Sequence, residues 1–333
     1  MSVATSHVSD MTRPGNAGPI VTSVASDQRE RMLASNSFRF RHGLSGHPAM
    51  TLPAIRKIAE QMLSERRFDQ VFYKTGVSMA TGKYSDSESV KSIIKVFENL
   101  NTAGAWLRLT RVDEVNSEFD AIVEQFYGEL SELYQQDIKS RTLKTFVTLF
   151  ISSPRAYTNY HLDHTWNFLL QISGRKTDHL YDPNDPQVLT QGDKEGWYME
   201  LPQISPRAHE KDMIYDLAPG DGVHHPVNAP HWVQNGPEVS ISLSLGLCLH
   251  TSNRDAKVYQ ANYLLRRLGF NPTPPRLSER RDSMKASFIS LWSDRNPKSF
   301  DQVVHSGATR LKRILRIGAA RHDPGAAANG SGR

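Results

Sequence analysis

Cysteine is almost missing from this chain. The single one, Cys248, excludes an intrachain disulfide and a cysteine-rich zinc site, and it suits a reducing compartment, so a cytoplasmic location is expected. Long apolar runs are missing too. No stretch approaches about 18 consecutive apolar residues, so no transmembrane helix is expected. The first residues lack a basic start followed by an apolar run, which excludes a secretory signal of the usual kind. A concentrated charge of one sign is also wanting. The net charge of +5 is mild and, apart from a basic C-terminal stretch, spread along the chain. That argues against a dedicated nucleic-acid surface, and no nucleic-acid partner is expected.

What is present suits a globular protein with a sizeable core: 333 residues, 38% hydrophobic and 23% charged, with thirteen histidines. Residues 1–30 are rich in Ser, Thr, Ala, Gly and Pro and read as a flexible arm. Residues 31–140 read as a helical lead-in. Ile55, Ile58, Ala59 and Met62 recur at helical spacing behind Pro53. Ser85 and Glu88 form a capping-box pattern ahead of a second helix to Leu100, and a long amphipathic helix is predicted over 113–136.

From residue 141 to 252 the apolar period changes from helical to two, apart from a turn-rich insertion at 182–215 that carries Trp197. Residues 239–249 alternate most clearly. Val239, Ile241, Leu243, Leu245, Leu247 and Leu249 form a bulky face; Ser240, Ser242, Ser244, Gly246 and Cys248 form a small one. Such a strand suits a barrel wall that leaves room for a ligand, or else a sheet packed closely on both sides. The insertion reads as a lid or substrate-contacting loop, or as decoration. Helices are expected again over 253–318, including a basic amphipathic stretch from Thr309, and residues 319–333 read as a disordered tail.

The chemistry concentrates in the stretch from Tyr157 to Lys176. His161 and Asp163 lie two residues apart on an extended segment, and His231 follows a PGD turn and a proline-rich bend. Two histidines with one carboxylate are the donor set that holds non-haem Fe(II) on one face and leaves positions open. A lone His-x-Asp occurs often by chance, but here it has company. Lys176 carries the charge to hold a carboxylate, and Thr158 and Asn167 offer neutral hydrogen bonds. His164, His179, His224 and His225 read as structural or supporting groups. Arg155 and Arg175 read as solvated, with anion contact as the alternative. Trp166, Trp197 and Trp232 suit either the cavity or the core.

Together, T-x-x-H-x-D, Asn167, Lys176 and PGDGVHHPVNAPHW resemble the jumonji C-type, cupin-like branch of the Fe(II)/2-oxoglutarate-dependent oxygenases. The resemblance covers roughly the central third of the chain. It implies a mainly β fold with flanking helices, a double-stranded β-helix (jelly-roll or cupin barrel). It also implies His161, Asp163 and His231 as iron ligands, with His231 preferred to His225 on motif spacing. Lys176, Thr158 and Asn167, with Ser244 as a further candidate, would bind 2-oxoglutarate, and O2 would complete the set. The expected activity is hydroxylation of a small molecule or a protein side chain, with demethylation as its variant. A homodimer through the C-terminal helices is expected by the same resemblance. A cupin-like binding protein without turnover, and a metal-dependent isomerase or lyase that does not use 2-oxoglutarate, are the alternatives. The second has no specific use for Lys176, Thr158 and Asn167.

Overall fold

The structure is a computed structural model and describes residues 18–75, 78–79, 88–199 and 212–292. The expected capping box at Ser85, the basic stretch from Thr309 and the C-terminal tail lie outside the described residues. The chain forms two compact units, Met1–Asp182 with Glu210–Leu249, and Pro183–His209 with His250–Arg333.

In the first unit, strands β1 (Val21–Ser23), β2 (Phe38–His42), β3 (Val71–Thr75), β4 (Ser78–Met79) and β5 (Ala105–Thr110) precede the barrel. The barrel strands are β6 (Thr142–Ser152), β7 (Tyr157–His161), β8 (Trp166–Ser173), β9 (Lys176–Leu180), β10 (Met213–Leu217), β11 (Asp221–His225), β12 (His231–Asn235) and β13 (Ser240–Leu249). Helices α1 (Ser26–Leu33), α2 (Leu52–Ser64), α3 (Glu88–Glu98), α4 (Ser117–Tyr134) and α5 (Ile138–Arg141) accompany them.

Two sheets result. One runs β1-β2-β11-β8-β13-β6-β5-β3 and the other β10-β9-β12-β7-β4. Their inner parts, β11-β8-β13-β6 and β10-β9-β12-β7, are the two four-stranded walls of a jelly roll.

The alternation of β13 decides which way each wall faces. Ile241, Leu243, Leu245 and Leu247 join Val147, Leu149, Phe168 and Leu170 in the main core, where Ile55 and Met62 of α2 and Phe119 and Phe126 of α4 also pack. Each such side chain contributes about 1.5–3 kcal/mol on burial. The small face turns into the barrel, where its hydroxyls meet polar groups of β8. Ser242 Oγ donates to Gln171 Oε1 at 2.7 Å, Gln171 Nε2 donates to Ser240 Oγ at 3.1 Å, and Ser244 Oγ donates to Asn167 Oδ1 at 2.7 Å. A second, smaller apolar cluster, including Leu169, Leu180, Leu217 and Val223, fills the interior. Both faces of β13 are therefore buried. The turn between β8 and β9 needs Gly174, whose φ is +69° and whose absent Cβ would lie 2.4 Å from the Val239 carbonyl oxygen.

Three details differ from the sequence reading. Residues 18–30, expected in the arm, hold β1 and the start of α1. Ile20 is fully buried, and Glu129 accepts hydrogen bonds from the Ile20 and Val21 amides at 2.9 and 2.6 Å. The long helix α4 begins at Ser117 rather than Asp113, because Asn116 caps it, accepting from the Glu118 amide at 2.9 Å.

The third concerns the insertion. In the second unit it holds a helix, α6 (Gln191–Trp197), beside α7 (His250–Arg267) and α8 (Glu279–Trp292). Thr190 and Asp193 close a reciprocal capping box at its start, and Glu195, 1% exposed, pairs with Arg266 of α7 at 2.7 Å. Turn-forming composition hid a helix of seven residues. Thr190→Ala removes the cap and is expected to lower stability by about 1 kcal/mol, read from the midpoint of urea unfolding; an unchanged midpoint would show that the ion pair alone holds the helix.

No helix among the described residues is long and apolar enough to cross a membrane.

Candidate metal centre

His161 ends β7 and His231 begins β12, and the two are register partners in the smaller sheet. Asp163 follows two residues after β7, where its backbone carbonyl accepts from the Asn228 amide at 2.8 Å. One ligand atom from each of the three side chains lies within 4.8 Å of the other two. His231 Nε2 stands 3.8 Å from Asp163 Oδ2, and the imidazole rings of His161 and His231 are 4.1 Å apart.

The hydrogen bonds behind the imidazoles fix their chemistry. His161 Nδ1 lies 2.8 Å from the Asn159 carbonyl oxygen, and His231 Nδ1 lies 3.0 Å from that of Ala229. A carbonyl only accepts, so each Nδ1 carries a hydrogen, and in the neutral ring it is Nε2 that keeps the lone pair. This is the arrangement that orients histidine for a metal. Burial holds the His231 imidazole well below its ordinary range, keeping it neutral. Burial acts to raise the Asp163 carboxyl, but the neighbouring His161 and His231 outweigh it, and the group stays ionised below its usual range. Two imidazoles and a carboxylate are a donor set that fits a divalent ion of the iron, cobalt or manganese kind.

Register places the other expected residues. Directly paired residues of adjacent strands share a face, so Lys176, Asp178 and Leu180 of β9 point inward with Asn235, Val233 and His231 of β12. Lys176 is 7% exposed, and its ammonium makes no hydrogen bond or ion pair among the described residues. Burial lowers its ammonium to about 8, against the pull of Asp178 in the other direction.

Thr158 reaches the inward face through a β-bulge. Between His231/His161 and Val233/Thr158 the register gains one residue on β7, which brings Thr158 to the side of His161. Asn167 is buried on β8, with its carbonyl oxygen taken by Ser244. Its NH2 group has no partner among the described residues. Ser244 therefore orients Asn167.

Other candidates turn away. Trp166 packs on Tyr134 and Phe168 on the core side of β8, and Trp232 stacks on His179 at 3.8 Å on the outer face of the smaller sheet. His224 lies between Phe38 and Phe168, held far below its ordinary range, at about 3, chiefly by burial. Arg155 and Arg175 are exposed to solvent.

Two further polar groups face inward: Asp178, which the sequence reading of the site did not include, and His225, which it took as a structural or supporting group. Asp178 and His225 form a buried pair, Oδ2 to Nε2 2.7 Å, and the His225 ring packs edge-on against His231 at 4.5 Å. The signal was available: with period two, Asp178 must share the face of Lys176.

Residues 49–242 match the model of a family described as a cupin-like domain. No curated protein matches the sequence. Among solved structures, the ribosomal oxygenase YcfD of Escherichia coli is similar, at 19% identity and a TM-score of 0.46, over 81% of this chain; the chain spans 66% of that protein's length, just under two thirds. A structure of YcfD in complex with cobalt and 2-oxoglutarate aligns at 16% identity and a TM-score of 0.43, over 90% of this chain and 68% of that one. The family match takes in more than half of the residues, from α2 to the first three residues of β13, and includes all three of the convergent donors. The chain belongs to the cupin-like domain family.

Proposed function

We propose that this protein is an Fe(II)- and 2-oxoglutarate-dependent oxygenase, a hydroxylase acting on a small molecule or a protein side chain. The observation that carries the reading is a buried, unpaired Lys176 on the same inward face as an oriented His161, Asp163 and His231. When bound, Fe(II) with 2-oxoglutarate and O2 supplies oxidative decarboxylation to succinate and CO2, coupled to insertion of one oxygen atom into a C–H bond.

The chain's own residues do the rest. His161, Asp163 and His231 would hold the metal, with the Asn159 and Ala229 carbonyls fixing the imidazoles. Lys176 would pair with the distal carboxylate of the co-substrate. Its level on β9 is four residues from Leu180, the partner of His231, or about 13 Å along the strand. A lysine side chain and a five-carbon dicarboxylate together bridge that span. Asn167, oriented by Ser244, and Thr158 would supply neutral donors. The apolar interior of Leu169, Leu180 and Val223 keeps water from the reacting carbon.

The test is an anaerobic titration of Fe(II)-loaded protein with 2-oxoglutarate, followed by visible absorption. A weak charge-transfer band is expected as the co-substrate chelates the metal. Absence of the band with iron demonstrably bound would leave a metal-binding cupin that does not use 2-oxoglutarate.

The C-terminal helices fit a homodimer interface in this reading. Met284, Phe288 and Leu291 recur along one side of α8 and are 73%, 51% and 76% exposed. A monomer in light scattering would defeat the dimer without touching the enzyme.

A further inference from the structure

Lys176 and Asp178 share the inward face of β9, two residues apart. A carboxylate so placed is the obvious partner for a buried ammonium, yet the two form no ion pair among the described residues. Asp178 instead reaches across the barrel interior, from the smaller sheet to β11 of the larger one, and bonds His225 Nε2 at 2.7 Å. The two side chains are 0% and 2% exposed. Their remaining polar atoms, Asp178 Oδ1 and His225 Nδ1, are buried and meet no partner among the described residues.

Packing does not require this pair. The His225 ring meets His231 edge-on at 4.5 Å, and the interior otherwise holds the apolar cluster of Leu180, Leu217 and Val223; an apolar pair of the same volume would leave no buried polar atom unmatched. What the pair does change is electrostatic. An unengaged carboxylate beside Lys176 would neutralise the ammonium and repel a dianion in a medium that screens charge poorly.

Resting on the oxygenase reading, we propose that His225 is a positioning residue that holds Asp178 away from Lys176 and so keeps the ammonium free for the distal carboxylate of the co-substrate. The pairing also leaves Asp178 and His225 as a polar strut between the two walls, beside the ligand rather than bound to it. His225 thereby serves the co-substrate without being a metal ligand.

The experiment is a calorimetric titration of the full chain, loaded with Mn(II), against 2-oxoglutarate and against pyruvate. Pyruvate keeps the chelating 2-oxo acid but lacks the distal carboxylate, so it does not report on Lys176. In His225→Leu, 2-oxoglutarate affinity is expected to fall by about tenfold or more, with pyruvate affinity unchanged. In the double variant His225→Leu/Asp178→Leu, 2-oxoglutarate affinity is expected to return close to that of the wild type.

Three results would overturn the proposal: unchanged 2-oxoglutarate affinity in the single variant, equal losses for both ligands, or a double variant as weak as the single. Should His225→Leu not fold, Asp178→Asn removes the competing charge while keeping the shape. It is expected to bind 2-oxoglutarate at least as tightly as the wild type, and weaker binding would count against the idea. A wild-type protein that binds Mn(II) but not 2-oxoglutarate would sink the oxygenase reading itself, an outcome separate from all of these.

Discussion

Loss of His161 is expected to remove the metal. His161→Ala takes one of three donors from a set with no fourth protein ligand among the described residues. Changes merely behind a metal ligand typically cost 10- to 100-fold in affinity, so removal of a ligand itself should cost more than about 100-fold. Equilibrium dialysis with Mn(II) reads this directly. Folding should survive, because the centre lies at the edge of the barrel, with the Asp163 side chain 36% exposed. The thermal unfolding midpoint of the metal-free variant should therefore match that of the metal-free wild type. Metal binding within a few-fold of the wild type would remove His161 from the donor set.

Lys176→Met is the second large effect, since it keeps the stem of the side chain and deletes the charge. A charge-assisted hydrogen bond contributes about 1.5–3 kcal/mol, so 2-oxoglutarate should bind roughly 10- to 150-fold more weakly at about 1.4 kcal/mol per decade. Metal affinity should not move, because Lys176 is four residues along β9 from the level of His231. The pH dependence gives a second signature. Burial lowers the free ammonium to about 8, and an anion binds its protonated form. Wild-type affinity should thus hold steady below that pH and fall above it, by up to about tenfold per unit. Lys176→Met should show no such fall. An alkaline decline that persists in the variant would assign the titration to another group.

The two effects separate the halves of the site. A metal without a co-substrate anchor would support other cupin chemistry, whereas an anchored dicarboxylate beside an oriented His-Asp-His set restricts the choice. The Asp178–His225 pair bears on the anchor alone, which is why pyruvate is the informative control.

Much of the barrel was legible in the one-dimensional pattern, because an element buried on one or both faces must announce its period. Residues 239–249 alternate bulky and small groups, and in the fold the bulky set meets α2 and α4 while the hydroxyls turn inward. The helix of Ile55, Ile58 and Met62 was equally plain. His161, Asp163 and His231 could be singled out by residue type, spacing and resemblance, since a metal set demands particular donor atoms.

Tertiary structure alone decided the rest, and in each instance the cause is a relation between distant segments. Strict alternation would put Thr158 on the opposite side of β7 from His161. A one-residue bulge, invisible in the sequence, returns it to the same side. Trp166 and Trp232 were equally suited to cavity or core until strand register turned Trp166 to the main core and Trp232 to the outer face. Ser244 looked like a ligand contact, but its hydroxyl is committed to Asn167, 77 residues away. Asp178 could be placed on the face of Lys176 by counting in twos. That it pairs with His225 rather than with its neighbour depends on two sheets closing over one another, and closure is a property that no single strand carries.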